Sequence, residues 1–399
     1  MTDAAPSTMG TRLRAIRRAQ GTSLRALAQT VGVSAAYLSQ VESGKRALDR
    51  HSLIVILAEA LGSSPDVFTA LPVPAPGNGG IDSAIEAVRQ ALLAVGLHRP
   101  GGQVVALDSL RARAAATVTE QRRGERLGEV GTATAELIRD LHSSIDADPD
   151  PAASRDLAVR FHTHATLDWL RVVGAPVDLR LEAANAAHRV ARDLATPAAL
   201  GLAAYGGLSA MISAGLLDLA RTELDAIDMP ATDAESTQLA GMLALCGGLL
   251  AAMDSRPDES AAAFDQAAQL AERTGEGDAS WMGFGPATVA LWRMSGLLDM
   301  GHYRQAAHIG VALHPLDPLP PLGQADYWVS YARALARMQS RRDHAVQALL
   351  RAEEISPHRL YRDPFARDLI AELFTRSRGA AADRELHDLA RRAGVTSHR

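Results

Sequence analysis

The sequence predicts an all-α chain in two unequal parts, a compact N-terminal bundle of five helices and a long body of paired helices. Composition is the first observation: alanine, leucine and arginine dominate the 399 residues and aromatic side chains make up only 4%, a balance that favours helix over sheet. The second is periodicity, with apolar residues at helical spacing and breaks at glycine or proline along almost the whole chain. The third is a grouping at i, i+4 and i+7 that returns through the C-terminal half, as expected of stacked helix pairs. A chain this long exceeds one ordinary domain and has ample material for a core.

The N-terminal bundle is assigned to residues 9–71. Leu13, Ile16 and the stem of Arg17 give residues 9–20 one inward face, and Gly21 stops the helix. Ser23 caps a second helix with Leu27, Ala28 and Val31 inward. Gly32 takes the left-handed turn, Val33 plugs the core, and Ser34 caps a third helix with Leu38 and Val41 inward, ended at Ser43-Gly44. Leu53, Ile54, Leu57, Ala58 and Leu61 mark a fourth helix ended by Gly62, and Ser64-Pro65 opens a fifth containing Val67, Phe68 and Leu71. Three prolines and three glycines in Leu71 to Gly80 make residues 72–80 a linker.

Residues 81–399 form the helical body. The recurring grouping falls at Ala184, His188, Ala191; Ala220, Leu224, Ile227; Ser260, Phe264, Ala267; Ala306, Gly310, Leu313; and Ala345, Leu349, Ala352, with separations of 36, 40, 46 and 39 residues. It resembles the second helix of tetratricopeptide repeats, most closely at Ala345 to Ala352 with Pro357 closing the unit, and at Gly301-His-Tyr303 leading into Ala306. The first-helix signature is weaker: Gly248 fits its small position in one unit, and Arg333 occupies the equivalent place in another. Residues 81–150 are helical without a legible register, and the arginine-rich stretch from Leu110 to Arg126 reads as a long connecting helix.

Charge is divided unevenly. Residues 1–71 carry eight Arg/Lys against five Asp/Glu, while the remainder carries 33 against 41. Between Arg12 and Arg50 only Glu42 and Asp49 oppose the basic groups, the footprint of a phosphate-facing surface. Cys246 is the single cysteine, so no intramolecular disulfide can form and thiolate zinc sites are excluded. No signal-peptide pattern opens the chain and no unbroken apolar run reaches membrane-spanning length, so a cytoplasmic chain without a membrane partner is expected.

The stretch from Ser23 to Arg46 carries the sharpest functional signal, two short helices joined by a glycine turn. Residues 10–71 resemble a lambda repressor/Cro-type helix-turn-helix domain of the xenobiotic-response-element class. The matching residues are Arg14 to Arg17 with Gly21, Ser23-Leu24, Leu27-Ala28, Gly32-Val33-Ser34, Tyr37-Leu38-Ser39, Glu42-Ser-Gly44 with Arg46, and Leu57 to Gly62. A helix entering the major groove needs short or hydrogen-bonding side chains outward. With Leu38 and Val41 inward, Ala35, Ala36, Ser39 and Gln40 are the base-contacting candidates, Gln40 for adenine and the alanines for a thymine methyl. Ser23, Arg25, Gln29, Ser34, Tyr37, Lys45 and Arg46 are placed to grip phosphates, which positions the protein without choosing sequence. The resemblance further implies a partly buried ion pair between Arg17 and Glu42. The competing reading is a helical bundle used for protein contact.

In the body, His162 and His164 stand two apart and point to different sides of a helix, so no metal site is expected. Gly275 to Pro286 is the densest glycine and aromatic cluster, and it resembles a Phe-Gly-Pro segment that opens a helix in actinobacterial regulators of this two-part type. Trp281, Phe284, Thr288, Trp292 and Arg293 around it, with Tyr205, Tyr331 and Arg333, are the candidates for a concave ligand groove. Repeat turns and repeat core are the plain alternatives for all of them. No nucleophile elbow, zinc-protease motif or dinucleotide loop is present, so neither enzyme activity nor a cofactor is expected.

The chain therefore reads as a bacterial transcription regulator that binds double-stranded DNA at a pseudo-palindromic operator as a homodimer, with a tetratricopeptide-like body that receives a small peptide or metabolite. The alternative is a DNA-tethered scaffold for protein contacts without a small ligand.

Overall fold

The computed structural model describes residues 8–71, 80–276, 281–377 and 382–395, and every regular element among them is helical. The expected linker, apart from Gly80, lies outside the described residues. The N-terminal bundle holds α1 (Met9–Ala19), α2 (Leu24–Thr30), α3 (Ala35–Glu42), α4 (His51–Ala60) and α5 (Pro65–Thr69). Local chemistry sets these boundaries. The Ser23 hydroxyl accepts from the amide of Ala26 and the Ser34 hydroxyl from that of Tyr37, each at 3.1 Å, satisfying first-turn donors that would otherwise lack partners. Gly21 and Gly32 follow α1 and α2 at φ of 68° and 71°, a conformation that disfavours any side chain. Leu13, Leu27, Leu38, Leu57 and Phe68 converge in a closed core.

The body begins with α6 (Ile81–Gly96), α7 (Leu107–Arg123) and α8 (Leu127–Ala147). Next, α9 (Ala152–Phe161) runs through a π-helical turn (His162–Leu167) into α10 (Asp168–Val172), followed by α11 (Val177–Leu194). Four hairpins come after: α12 (Pro197–Ala214) with α13 (Leu217–Asp225), α14 (Ala234–Met253) with α15 (Pro257–Thr274), α16 (Pro286–Asp299) with α17 (Tyr303–Ala312), and α18 (Pro321–Ala336) with α19 (Arg342–Ile355). The chain ends with α20 (Pro357–Arg362), α21 (Pro364–Thr375) and α22 (Ala382–Arg392). The structure is thus all-α, an N-terminal multi-helix bundle followed by a region of repetitive helix packing.

The interlock between hairpins rests on size contrast. The buried Phe264 ring fills the space over Gly248 and Gly296, where an added Cβ would come within 3.0 and 2.9 Å of ring atoms. Ser260, Phe264 and Ala267, and Ala345, Leu349 and Ala352, are buried at the positions the sequence grouping selects. In the first group Ala184 and Ala191 are buried, but His188 is exposed, and Ala183, Ala187 and Val190 are buried beside them. A second correction concerns Leu110 to Arg126, which is no connecting helix. Its helix α7 stops at Gly124, with φ of 74°, and folds back on α8.

The stack does not stay open. Helix α7 packs on α18, the Ser356 hydroxyl donates to the Gly124 carbonyl at 2.9 Å, and Arg362 donates to the Val173 carbonyl at 2.6 Å while pairing with Asp82 at 2.9 Å. The first body helices therefore meet the last, and between them lies a large, partly open cavity in place of an open groove. Helices α12 and α14 are long and apolar enough to cross a membrane by length and composition, although the sequence has no unbroken apolar run of that length. In the fold 50% and 78% of their apolar windows are buried among neighbouring helices.

Candidate functional site

Two features converge on the N-terminal bundle: the outward face of α3 and the surface by which the bundle sits on the body. On α3, Leu38 and Val41 are buried, while Ala36, Ser39 and Gln40 are exposed side by side. Ser23, Arg25, Gln29, Ser34 and Lys45 are exposed around them. Two expected outward residues face elsewhere. Ala35 is half-buried against the bundle core. Tyr37 packs on that core too, with Arg46 stacked over its ring at 4.9 Å, so these two hold one another more than they face solvent. Burial raises the Tyr37 phenol pKa, as does nearby Asp49, and its oxygen is enclosed at the seam with the body.

Arg17 and Glu42 tie α1 to α3. The guanidinium donates to both carboxylate oxygens at 2.5 and 2.7 Å, and to the Thr22 carbonyl at 2.8 Å. Both side chains are buried, and the bond to Glu42 holds the Arg17 proton more tightly than usual. Glu42 is thus committed inward, and the outward face of α3 is short and neutral.

The bundle sits on the body through carboxylates aimed at its backbone amides. Asp368 on α21 accepts from Met9 at 2.9 Å and Leu48 at 2.8 Å, Glu372 accepts from Ala47 at 2.8 Å, and Asp299 accepts from Ser52 at 3.1 Å. The last contact supplies α4 with the cap its own flanking Arg50 does not provide. In return Asp49 accepts from Tyr303 at 3.0 Å and Arg337 at 2.6 Å. Burial opposes the Asp49 charge, yet Arg337 holds its carboxyl below the usual range. Arg333 donates to the Asp49 carbonyl and lies over the Phe365 ring at 4.4 Å.

Behind the seam lies the central cavity, of about 1450 Å³, with body helices as its wall and His51, Asp66, Thr69, Ala70 and Leu71 of the bundle as its cover. Tyr205, Trp281, Trp292 and Phe365 give it aromatic surface, and Leu167, Met242 and Leu249 aliphatic surface. A chain of charges crosses it: Arg171 pairs with Asp168 at 2.8 Å and reaches Asp326 at 3.8 Å, and Arg359 pairs with Asp326 at 2.7 Å and Asp363 at 2.9 Å. Burial works against the Asp168 charge, but Arg171 keeps that carboxyl low. Arg180 also lines the cavity, and burial together with Arg171 pushes it down to about 10.

Of the groove candidates, Tyr205, Trp281, Thr288, Trp292 and Arg333 line this cavity. Phe284, Arg293 and Tyr331 do not. Phe284 is fully buried against Gly241, where an added Cβ would meet its ring at 2.1 Å. Arg293, one position beyond Trp292 and so about 100° around the helix, turns away to pair with Asp265 at 2.6 Å. Tyr331 stacks on Tyr327 and packs over Gly310. Part of the glycine and aromatic cluster, residues 277–280, lies outside the described residues. His162 and His164 diverge: His162 is fully buried and bonded to His142 at 2.9 Å, whereas His164 lines the cavity beside Tyr205. Sequence reasoning missed the docking carboxylates and the Asp168, Asp326 and Arg359 network, whose partners are brought together only by the fold.

Residues 8–71 match the family described as a helix-turn-helix domain. No curated protein matches the chain.

Proposed function

We propose that the chain is a sequence-specific DNA-binding transcription regulator whose body senses a small molecule. The carrying observation is the exposed face of α3, with Ala36, Ser39 and Gln40 flanked by Arg25 and Lys45, within the segment that matches the helix-turn-helix family. Short outward side chains let a helix approach base edges, and the surrounding cations hold phosphates. The bundle is of lambda repressor/Cro type and the body of tetratricopeptide type by the residues quoted above. A homodimer reads a pseudo-palindrome, with half-sites ~34 Å apart along the DNA. The protein acts in the cytoplasm, without enzyme activity.

The cavity supports the sensing half of this reading, because bundle and body both line it. A ligand there touches both, so its binding energy differs between docked and undocked bundle, which is what shifting a population requires. Footprinting on DNA upstream of the gene is expected to protect a pseudo-palindrome, with affinity that changes on adding culture extract or a small ligand. Affinity indifferent to every extract, together with capture of a stoichiometric protein partner, would establish the scaffold instead.

A further inference from the structure

The charges that line the cavity are unevenly satisfied. Arg171, Arg359 and Arg362 each have a carboxylate partner. Arg180 has none among the described residues, and its Nε is buried without a hydrogen-bond partner. Arg333 gives one nitrogen to the Asp49 carbonyl and its face to Phe365, and its Nε too is buried and unpartnered. Of the carboxylates on the same wall, Asp299 caps Ser52, while Asp66 accepts from Ser64 and favours the Arg180 charge from nearby without forming an ion pair with it. Arg180 and Arg333 are both half-buried, and a guanidinium held partly out of water with an unpartnered nitrogen is suited to receive an anion.

We propose that the part of the cavity beneath α4 is an anion subsite formed by Arg180 and Arg333, and that the occupant is an apolar, aromatic small molecule bearing one acidic group. Planar guanidinium groups suit carboxylate, sulfonate or phosphate oxygens through paired N–H donors. The remaining walls, with Tyr205, Trp281 and Trp292, favour rings. The volume of about 1450 Å³ exceeds what a bare inorganic anion fills. This inference rests on the cavity being the signal site. Its consequence is specific: the acidic group sits next to His51 of the bundle, so the ligand's charge is felt where bundle and body meet.

The test uses two fluorescent probes of similar shape on the intact protein, the anionic anilinonaphthalene sulfonate and the uncharged phenylnaphthylamine. The expected result is one sulfonate per chain, bound about tenfold more weakly by Arg180→Met, with the neutral probe unchanged. Arg180→Lys is expected to keep part of the preference, and Arg180→Met to melt no lower than the parent, because the half-buried guanidinium it removes has no ion-pair partner among the described residues. Equal binding of both probes, unmoved by Arg180→Met, would overturn the anion subsite and leave the cavity as a neutral ligand site. Exclusion of both probes from the folded protein would overturn the cavity as a signal site, and the subsite with it.

Discussion

Asp49, in the turn that leads into α4, and Arg337, at the end of α18, form a buried ion pair of 2.6 Å across the seam between bundle and body. Arg337 also holds Glu372 at 2.8 Å, and Glu372 holds the amide of Ala47, so one guanidinium organises both sides of the seam. Arg337→Met leaves Asp49 buried without its ion-pair partner, while Glu372 keeps Arg376 at 3.0 Å, and is expected to lose about 3–5 kcal/mol of stability in chemical denaturation. Combining it with Asp49→Asn is expected to recover part of that loss, because a buried charge is removed. Additive losses would show that the two residues do not interact.

The Arg17 and Glu42 pair is internal to the bundle. Glu42→Ala strands a buried guanidinium and is expected to cost about 3–5 kcal/mol. In a thermal melt of the whole protein, DNA binding should disappear at a lower temperature than the helical signal of the body. Arg17→Met in the same chain should partly restore it. A single melt shifted as a whole, with no early loss of DNA binding, would mean that the bundle does not unfold on its own.

Arg25 is exposed beside the outward face of α3. If it neutralises one phosphate, Arg25→Ala lowers the slope of log affinity against log salt by about one unit. Affinity should fall alike on specific and random DNA. A variant with unchanged slope places Arg25 off the DNA.

How much of this was legible follows from how local each cause is. The limits of α2 and α3 could be read because Ser23, Ser34, Gly21 and Gly32 act within a few residues. The start of α4 could not: the apolar run begins at Leu53, but the helix begins at His51, because Asp299, 247 residues away, caps it. In α11 Ala183, Ala184, Ala186 and Ala187 are all buried and offer no size contrast, so nothing local showed that His188 would face outward. Trp292 and Arg293 were equally plausible as groove residues, and only packing against α15 separates them. The closure of the stack, and with it the cavity, depends on contacts such as Arg362 with Asp82 that no local pattern announces.

Acid stability should report the His142 and His162 pair. Burial, followed by Arg189, lowers His142 to about 4, and burial lowers His162 well below its usual value. The unfolded chain then binds more protons than the folded one between about 6.5 and 4. Their contribution is fully present above about pH 6.5 and is lost as pH falls. His142→Gln is expected to lose less stability than the parent between those pH values, measured by denaturant titration at each pH. A slope as steep as the parent's would place the acid sensitivity elsewhere.

The most direct measurement is the affinity of the intact protein for its best-selected DNA site and for random DNA, before and after Gln40→Ala. The expected result is a site bound well above random DNA, with the substitution costing ~1–3 kcal/mol on that site and nothing on random sequence. If selection yields no preferred site, or Gln40→Ala binds preferred and random DNA as the parent does, α3 is not a reading helix and the regulator assignment falls.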